Sequence, residues 1–505
     1  MQENTSKAIT VNTVLLYIQL TVAIVAGLLT TRFALKALGV DDFGLFSVVG
    51  GIISFISIVN TIMLSTSNRF IAVAIGRGDM VEVNKQFNVN LAIHVAIGVI
   101  VLLTAFPLGH WYIYNYVSYV GDISNVITLF DITIIGTVIS VFGVPYNGVM
   151  IARERFLFFS IISIAKNVLK IPLAFYLQYW AGNRLMLYGI GITGLEAAPT
   201  VAYILYCYAY FQDIVRVKLV KEWKRYREVL AFSVWVGLGA VTYIAKGAGS
   251  ALIVNMFFTT AMNAALGVAN TVNTTLANFA TNATKSIAPQ ITKSYAAGNM
   301  ERSERLVCLA SKVSFMITLI VVSPFIIAPE YLFEIWLDEV PDYAILFTTL
   351  MIIDTLIGVL NAGAPDIIHA SGNIKWFQII DNSVRLLSVV IGFFVLKAGA
   401  PAYSLYLVYI VYTTLSVFVR QALLRKLINF NTIRIIKESF LPSLLVLLAF
   451  LPVLLLRFCK LHPLVLIMID IIYAAVLIYL LGLSRNEKDY VTAMVRKVAQ
   501  KKYFR

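Results

Sequence analysis

The chain has 505 residues, 60% of them hydrophobic and only 13% charged, with a mean hydropathy of +0.84. A soluble globular domain cannot carry that balance, because apolar side chains would have to cover its surface. The apolar runs recur at helical-span length, which predicts an all-α polytopic membrane protein rather than a barrel. The formal net charge of +14 is assigned to loops that collect Lys and Arg on one side of a membrane, so no nucleic-acid partner is expected.

Fourteen spans are predicted in chain order: 8–36, 44–70, 88–109, 122–150, 156–180, 185–211, 228–256, 261–288, 307–328, 343–369, 376–396, 402–421, 439–457 and 463–483. The first run is too long for a signal-peptide core and reads as the first span. An even count puts both termini on one side. The segments "RGDMVEVNK", "ARER", "VRVKLVKEWKRYRE", "KSYAAGNMERSER", "RKLINFNTIRIIKE" and "MVRKVAQKKYFR" fall on that side, while the acidic "GVDD" and "PEYLFEIWLDEVPD" fall on the other. The charge bias places both termini in the cytoplasm.

The two halves of the chain echo each other at an offset of 220 residues. "GDM" at Gly78–Met80 matches "GNM" at Gly298–Met300, "GVP" at Gly143–Pro145 matches "GAP" at Gly363–Pro365, and Phe156 matches Trp376. The predicted organisation is an N-terminal six-helix bundle (1–211), a basic cytoplasmic linker (212–228), a C-terminal six-helix bundle (229–421) and a final region (422–505) with two further spans and a basic tail. Six helices per half, both starting inside, make a parallel repeat about the membrane normal, a transporter plan with a midplane site between bundles.

Catalytic motifs are missing from the sequence: it has no Walker A loop, HExxH, nucleophile elbow or Cys/His cluster. An enzyme is therefore not expected, and neither a cofactor nor a metal site is predicted. The chemistry to explain is cationic charge inside the spans. In "FLFFSIISIAKNVLKIPLAFYLQYW" (156–180), Lys166 and Lys170 share one helix face and each lies roughly 15 Å or more from either end. Lys246 lies equally deep in "VTYIAKGAGSALIV". An ammonium at the bilayer centre costs about 2.5–3.5 kcal/mol on insertion scales, so these three mark a binding site, or else pair with Asp131, Glu196 or Asp354.

Arg32, Arg69 and Lys285 lie nearer span ends, where a cavity role and snorkelling to the interface are both open. Span eight, "AMNAALGVANTVNTTLANFATNATKS", carries Asn270, Thr274, Asn278, Thr281 and Lys285 at three- or four-residue steps, a stripe that lines a cavity or glues helices together. In span eleven Asp381 and Arg385 are spaced to pair. Span five has two lysines and no acid, which predicts an unneutralised cationic wall in the N-terminal half that attracts anions.

At "RFALKALGVDDFGLFSVVGG" (Arg32–Gly51) the chain resembles the polysaccharide exporters of the multidrug/oligosaccharidyl-lipid/polysaccharide superfamily, and above all the Wzx-type O-antigen or capsule flippases. Their first two spans are joined by a short "LG…YG" loop; here it is Leu38-Gly39 and Phe43-Gly44, with Phe in the Tyr position. The resemblance extends over the whole chain, and it implies a bacterial inner-membrane protein. It also implies a function: moving undecaprenyl-pyrophosphate-linked oligosaccharide from the cytoplasmic to the periplasmic leaflet, alongside glycosyltransferases and a polysaccharide polymerase. On that implication Lys166 and Lys170 belong to the pyrophosphate site. A lipid II flippase and a multidrug cation antiporter of the same fold are the rival readings, the second disfavoured by the acid-free first span.

Overall fold

The structure is a computed structural model that describes residues 2–76, 79–117, 122–153, 155–458 and 461–489. The side chains of Arg69, Thr281 and Lys285 lie outside the described residues. The elements, in order, are α1 (Gln2–Gly76), α2 (Met80–Tyr116), α3 (Ile123–Ala152), α4 (Phe156–Tyr176), α5 (Arg184–Tyr210), α6 (Gln212–Val215), α7 (Trp223–Phe257) and α8 (Thr260–Ala296). They continue with α9 (Met300–Ile327), α10 (Pro329–Trp336), α11 (Ala344–Gly358), α12 (Ala364–Ser371), α13 (Ile374–Lys397), α14 (Ser404–Ile428), α15 (Thr432–Ile435), α16 (Leu441–Phe450) and α17 (Pro463–Leu477). Among the described residues there is no strand.

Eleven helical stretches among the described residues are long and apolar enough to cross a membrane, and Ile244–Phe257 adds a shorter apolar one. The protein is an all-α, multi-pass membrane protein, as the hydropathy requires. The first two predicted spans are one helical stretch interrupted at Gly39, whose φ of 77° and ψ of 177° leave helical space. Only glycine takes that conformation without strain. Gly44, five residues on, lets α1 meet the start of α8: an ideal Cβ there would lie 1.9 Å from the Thr260 carbonyl oxygen. Both glycines of the "LG…FG" loop thus have a backbone reason.

The repeated "GDM" and "GNM" turns each start a helix. Asp79 accepts hydrogen bonds from the backbone of Val81 and Glu82 (2.9 and 3.1 Å) at the head of α2, and Asn299 accepts one from Arg302 (3.0 Å) at the head of α9. Predicted span ten is broken where the sequence reads "GAP": α11 ends in a 3-10 turn at Val359–Asn361, and α12 restarts with Pro365 in its first turn.

Contacts gather the chain into two compact units. The first takes in the chain up to Thr271 with Trp336–Ala344 and Arg385–Leu405, and the second takes in Val272–Ile335, Ile345–Val384 and the chain from Tyr406 on. In the first unit α1 packs on α3, α4 and α7, and α3 packs on α5. Small residues set the α3–α5 distance: a Cβ on Gly136 would meet Thr193 Cγ2 at 2.1 Å, and one on Gly143 would meet Thr200 at 2.5 Å. The segment after α5 is strapped onto α2. Asn84 donates to the Ile214 and Arg216 carbonyls, Asn88 donates to Arg216 and accepts from the Lys218 amide, and Glu222 takes Lys85 and Arg225. Lys85 first and Arg225 second hold the Glu222 carboxyl down at about 2.

In the second unit, Val307, Ile367, Ile368, Leu424 and Phe430 form an apolar core. Polar pairs flank it. Asp381 receives both Nε and Nη2 of Arg420 from α14 (2.7 and 2.9 Å) and the Ser416 hydroxyl, partners the Asp381/Arg385 spacing does not reveal. Lys312, nearly buried on α9, is held by Glu487 at 2.6 Å.

Candidate substrate site

The site is built on α4. Leu157, Ile161, Val168 and Leu169 are exposed along one side of this helix. At 100° per residue, Phe159, Ser163, Lys166 and Lys170 fall on the opposite side, turned inward. On α5 the exposed apolar side is Ile190, Val201 and Leu205, and Glu196 again points the other way. The two inward faces meet. Lys166 Nζ donates to Glu196 Oε2 at 2.8 Å and Lys170 Nζ to Glu196 Oε1 at 2.5 Å.

This corrects one expectation. The cationic wall is not unneutralised, because span six supplies the acid that span five lacks. Two ammonium groups share one carboxylate, which leaves a net charge of +1 on the trio. The lysine side chains are 22% and 20% exposed and Glu196 is 45% exposed.

A cavity of about 460 Å³ lies between α3, α4 and α5, with Lys166 and Glu196 in its wall. Much of its remaining lining is hydroxyl and amide. Thr133, Thr137, Ser140 and Asn147 form a stripe down α3, facing Ser163 of α4. The three α3 hydroxyls donate to carbonyls one turn back, at 2.6, 2.8 and 3.1 Å, which leaves their oxygen lone pairs toward the cavity. Asn147 Oδ1 is buried with no partner among the described residues, and so is Gln19 Oε1, whose amide nitrogen donates to Ser163 Oγ at 2.9 Å. The cavity therefore combines a wall rich in hydroxyl and amide groups with the Lys166–Glu196 ion pair, and Lys170 adjoins that pair.

The other predicted site residues lie elsewhere. Lys246 is half-buried on α7 and is not among the residues lining this cavity. Arg32 stands at the far end of the first span and, with Lys36, binds Asp338 (3.0 Å for Arg32). Lys36 first and Arg32 second hold the Asp338 carboxyl below the usual carboxylate range. Trp336 Nε1 donates to the Leu28 carbonyl beside this pair. On α8, Asn270 and Asn278 are half-buried and Thr274 is exposed, while the adjacent Asn273 accepts the Thr355 hydroxyl at 2.8 Å. The side chains of Arg69 and Lys285 lie outside the described residues. The other two candidate acids are engaged differently: Asp131 with His110 at 2.7 Å, and Asp354 with the Thr413 hydroxyl at 2.5 Å.

Sequence reading missed the α3 stripe and Gln19. The spacing of Thr133, Thr137 and Ser140 is the same three- and four-residue rhythm that singled out span eight, so the signal was present.

The fold is similar to those of solved membrane transporters. Three solved structures illustrate it. The lipid II flippase MurJ matches with a TM-score of 0.68 at 14% identity, over 93% of this chain and 98% of its own. A multidrug resistance MATE family transporter of the MOP superfamily matches with a TM-score of 0.61 at 13% identity, over 80% and 96%. The MATE multidrug transporter DinF-BH matches with a TM-score of 0.61 at 15% identity, over 84% and 96%. No protein-family model and no curated protein sequence matches the chain.

Proposed function

We propose that the protein is a flippase for a lipid-linked oligosaccharide, moving an undecaprenyl-pyrophosphate-linked glycan from the cytoplasmic to the periplasmic leaflet of a bacterial inner membrane. The observation that carries this reading is the Lys166–Glu196–Lys170 trio with its residual positive charge beside a hydroxyl-lined cavity. A pyrophosphate asks for cations that release it easily, and lysine serves as such a point charge. A glycan brings many hydroxyl groups, which the Thr133, Thr137 and Ser140 hydroxyls in the cavity wall can meet with hydrogen bonds. A lipophilic cation would meet the wrong sign of net charge.

In this reading the protein works by alternating access, with Lys246, Arg32, Arg69, Asn270, Thr274, Asn278 and Lys285 as further contacts along the route. The termini and the 212–228 linker lie in the cytoplasm, and Leu332–Asp342 lies outside. Placement of Asp338 at the Arg32 end of α1 supports the shared sidedness of those two segments. A lipid II flippase is the second reading. It is favoured by the 93% coverage in the match to MurJ, against 80% and 84% in the two MATE matches.

The test is binding of a short-chain polyprenyl pyrophosphate to the purified protein. Binding should weaken when Lys166 or Lys170 is replaced by Gln and survive replacement by Arg. Equal binding by the Gln variants would overturn the assignment of the site.

A further inference from the structure

The helix α17 reads "PLVLIMIDIIYAAVL", and Asp470 is its one charged residue. The side chain is completely buried, and neither carboxyl oxygen has a hydrogen-bond partner among the described residues. Its polar neighbour is Ser323 of α9, whose own hydroxyl is turned to the Ile320 carbonyl at 3.2 Å.

Among the described residues, the elements packed on α17 hold no counter-charge at this level. The charged groups of α9 are Glu301, Arg302, Glu304, Arg305 and Lys312, all in its first half. Lys312 comes eleven positions before Ser323, about 16 Å along the helix, and is held by Glu487. Glu301 takes Arg305, and Glu304 takes Arg434. No residue of α16 is charged. In the 3-10 segment Leu451–Phe458, Arg457 is bound to Glu330 at 2.8 Å. The segment after α17, Ile478–Gly482, offers only Tyr479.

An ionised carboxylate placed here would have lost its water and gained nothing in return, which an apolar span does not support. We propose that Asp470 is a proton-binding site: the carboxyl holds its proton while packed against Ser323 and releases it to water when α17 moves away from α9. A bare alkali cation would need several oxygen ligands, and among the described residues Ser323 is the one side-chain oxygen beside the carboxyl, so the ligand is the proton. A π-helical turn precedes α16 at Ile436–Phe440 and another follows α17 at Ile478–Gly482, irregular turns of a kind frequent at functional sites. This site is independent of the proposed cargo, because its readout needs no substrate.

The experiment is difference infrared spectroscopy of the full chain in lipid nanodiscs, wild type against Asp470→Asn, with sodium present or absent. The wild type should show the carbonyl stretch of a protonated, apolar carboxyl at neutral pH. Asp470→Asn should lack it, and sodium should leave it unchanged. Hydrogen–deuterium exchange at 436–440 and 478–482 should change with pH in the wild type and stay constant in the variant. If Asp470→Asn does not assemble, Asp470→Glu keeps the acid and should shift the band rather than remove it. A band that is absent in the wild type, identical in every variant, or abolished by sodium would overturn the proposal.

Discussion

Replacing Lys170 with Gln removes one charge from the trio and leaves Lys166 facing Glu196 as a balanced pair. No group is stranded, and the lost pair is partly exposed, so stability should change by no more than about 1 kcal/mol. Glu196→Gln is the opposite perturbation. It leaves two ammonium groups, on the order of 6 Å apart, with no carboxylate between them. At an effective dielectric of about 20 their repulsion is roughly 3 kcal/mol, and partial exposure to the cavity reduces this to about 1–2 kcal/mol. Thermal unfolding in detergent should therefore rank Lys170→Gln near wild type and Glu196→Gln below it. Transport should rank them the other way. Lys170→Gln, with the net charge gone, should lose at least about tenfold in export, equivalent to about 1.4 kcal/mol, whereas Glu196→Gln should retain it. Adding Lys170→Gln to Glu196→Gln should recover stability without recovering export. A purely structural trio would give full export in Lys170→Gln, and that result would refute the reasoning.

Further expectations concern the scaffold. Gly136→Ala should cost about 1–3 kcal/mol in thermal unfolding, because its Cβ would lie 2.1 Å from Thr193 and force α3 from α5 beside the cavity. Lys312→Met should destabilise the protein by about 1–2 kcal/mol by removing the cation from Glu487, which keeps the Ser484 amide and hydroxyl, and the double change with Glu487→Gln should recover part of it. The Glu222 carboxyl, held at about 2 by Lys85 and Arg225, lies below its unperturbed 4.5. Its contribution to linker docking is therefore complete above about pH 4.5 and lost as the pH falls toward 2. Hydrogen exchange of residues 214–218 should accelerate through that window, and in Lys85→Gln it should accelerate at a higher pH.

What the sequence disclosed follows from the range of each interaction. The spans were legible because hydropathy is a local sum, and Gly39 marked the loop between the first two; the break near Gly363 was not read, because the apolar run 343–369 continues through it. Lys166 and Lys170 were legible as a pair because four residues is one helical turn. Their partner was not, since Glu196 comes from another helix and three acids inside spans satisfied the same argument from depth. Only packing decides among them, and here it is set by Gly136 and Gly143 letting α5 close on α3. Asp381 makes the same point, with Arg420 arriving from α14, thirty-nine residues away.

The central claim is that this protein moves a pyrophosphate-linked glycan across the bilayer. The most direct measurement is reconstitution into liposomes loaded on one leaflet with a polyprenyl-pyrophosphate-linked oligosaccharide, read out by accessibility of the glycan to an impermeant lectin. The account predicts protein-dependent appearance of glycan on the opposite leaflet, abolished in the Lys166→Gln/Lys170→Gln double variant. Liposomes in which the glycan stays put while the same protein moves a lipophilic cation would contradict it.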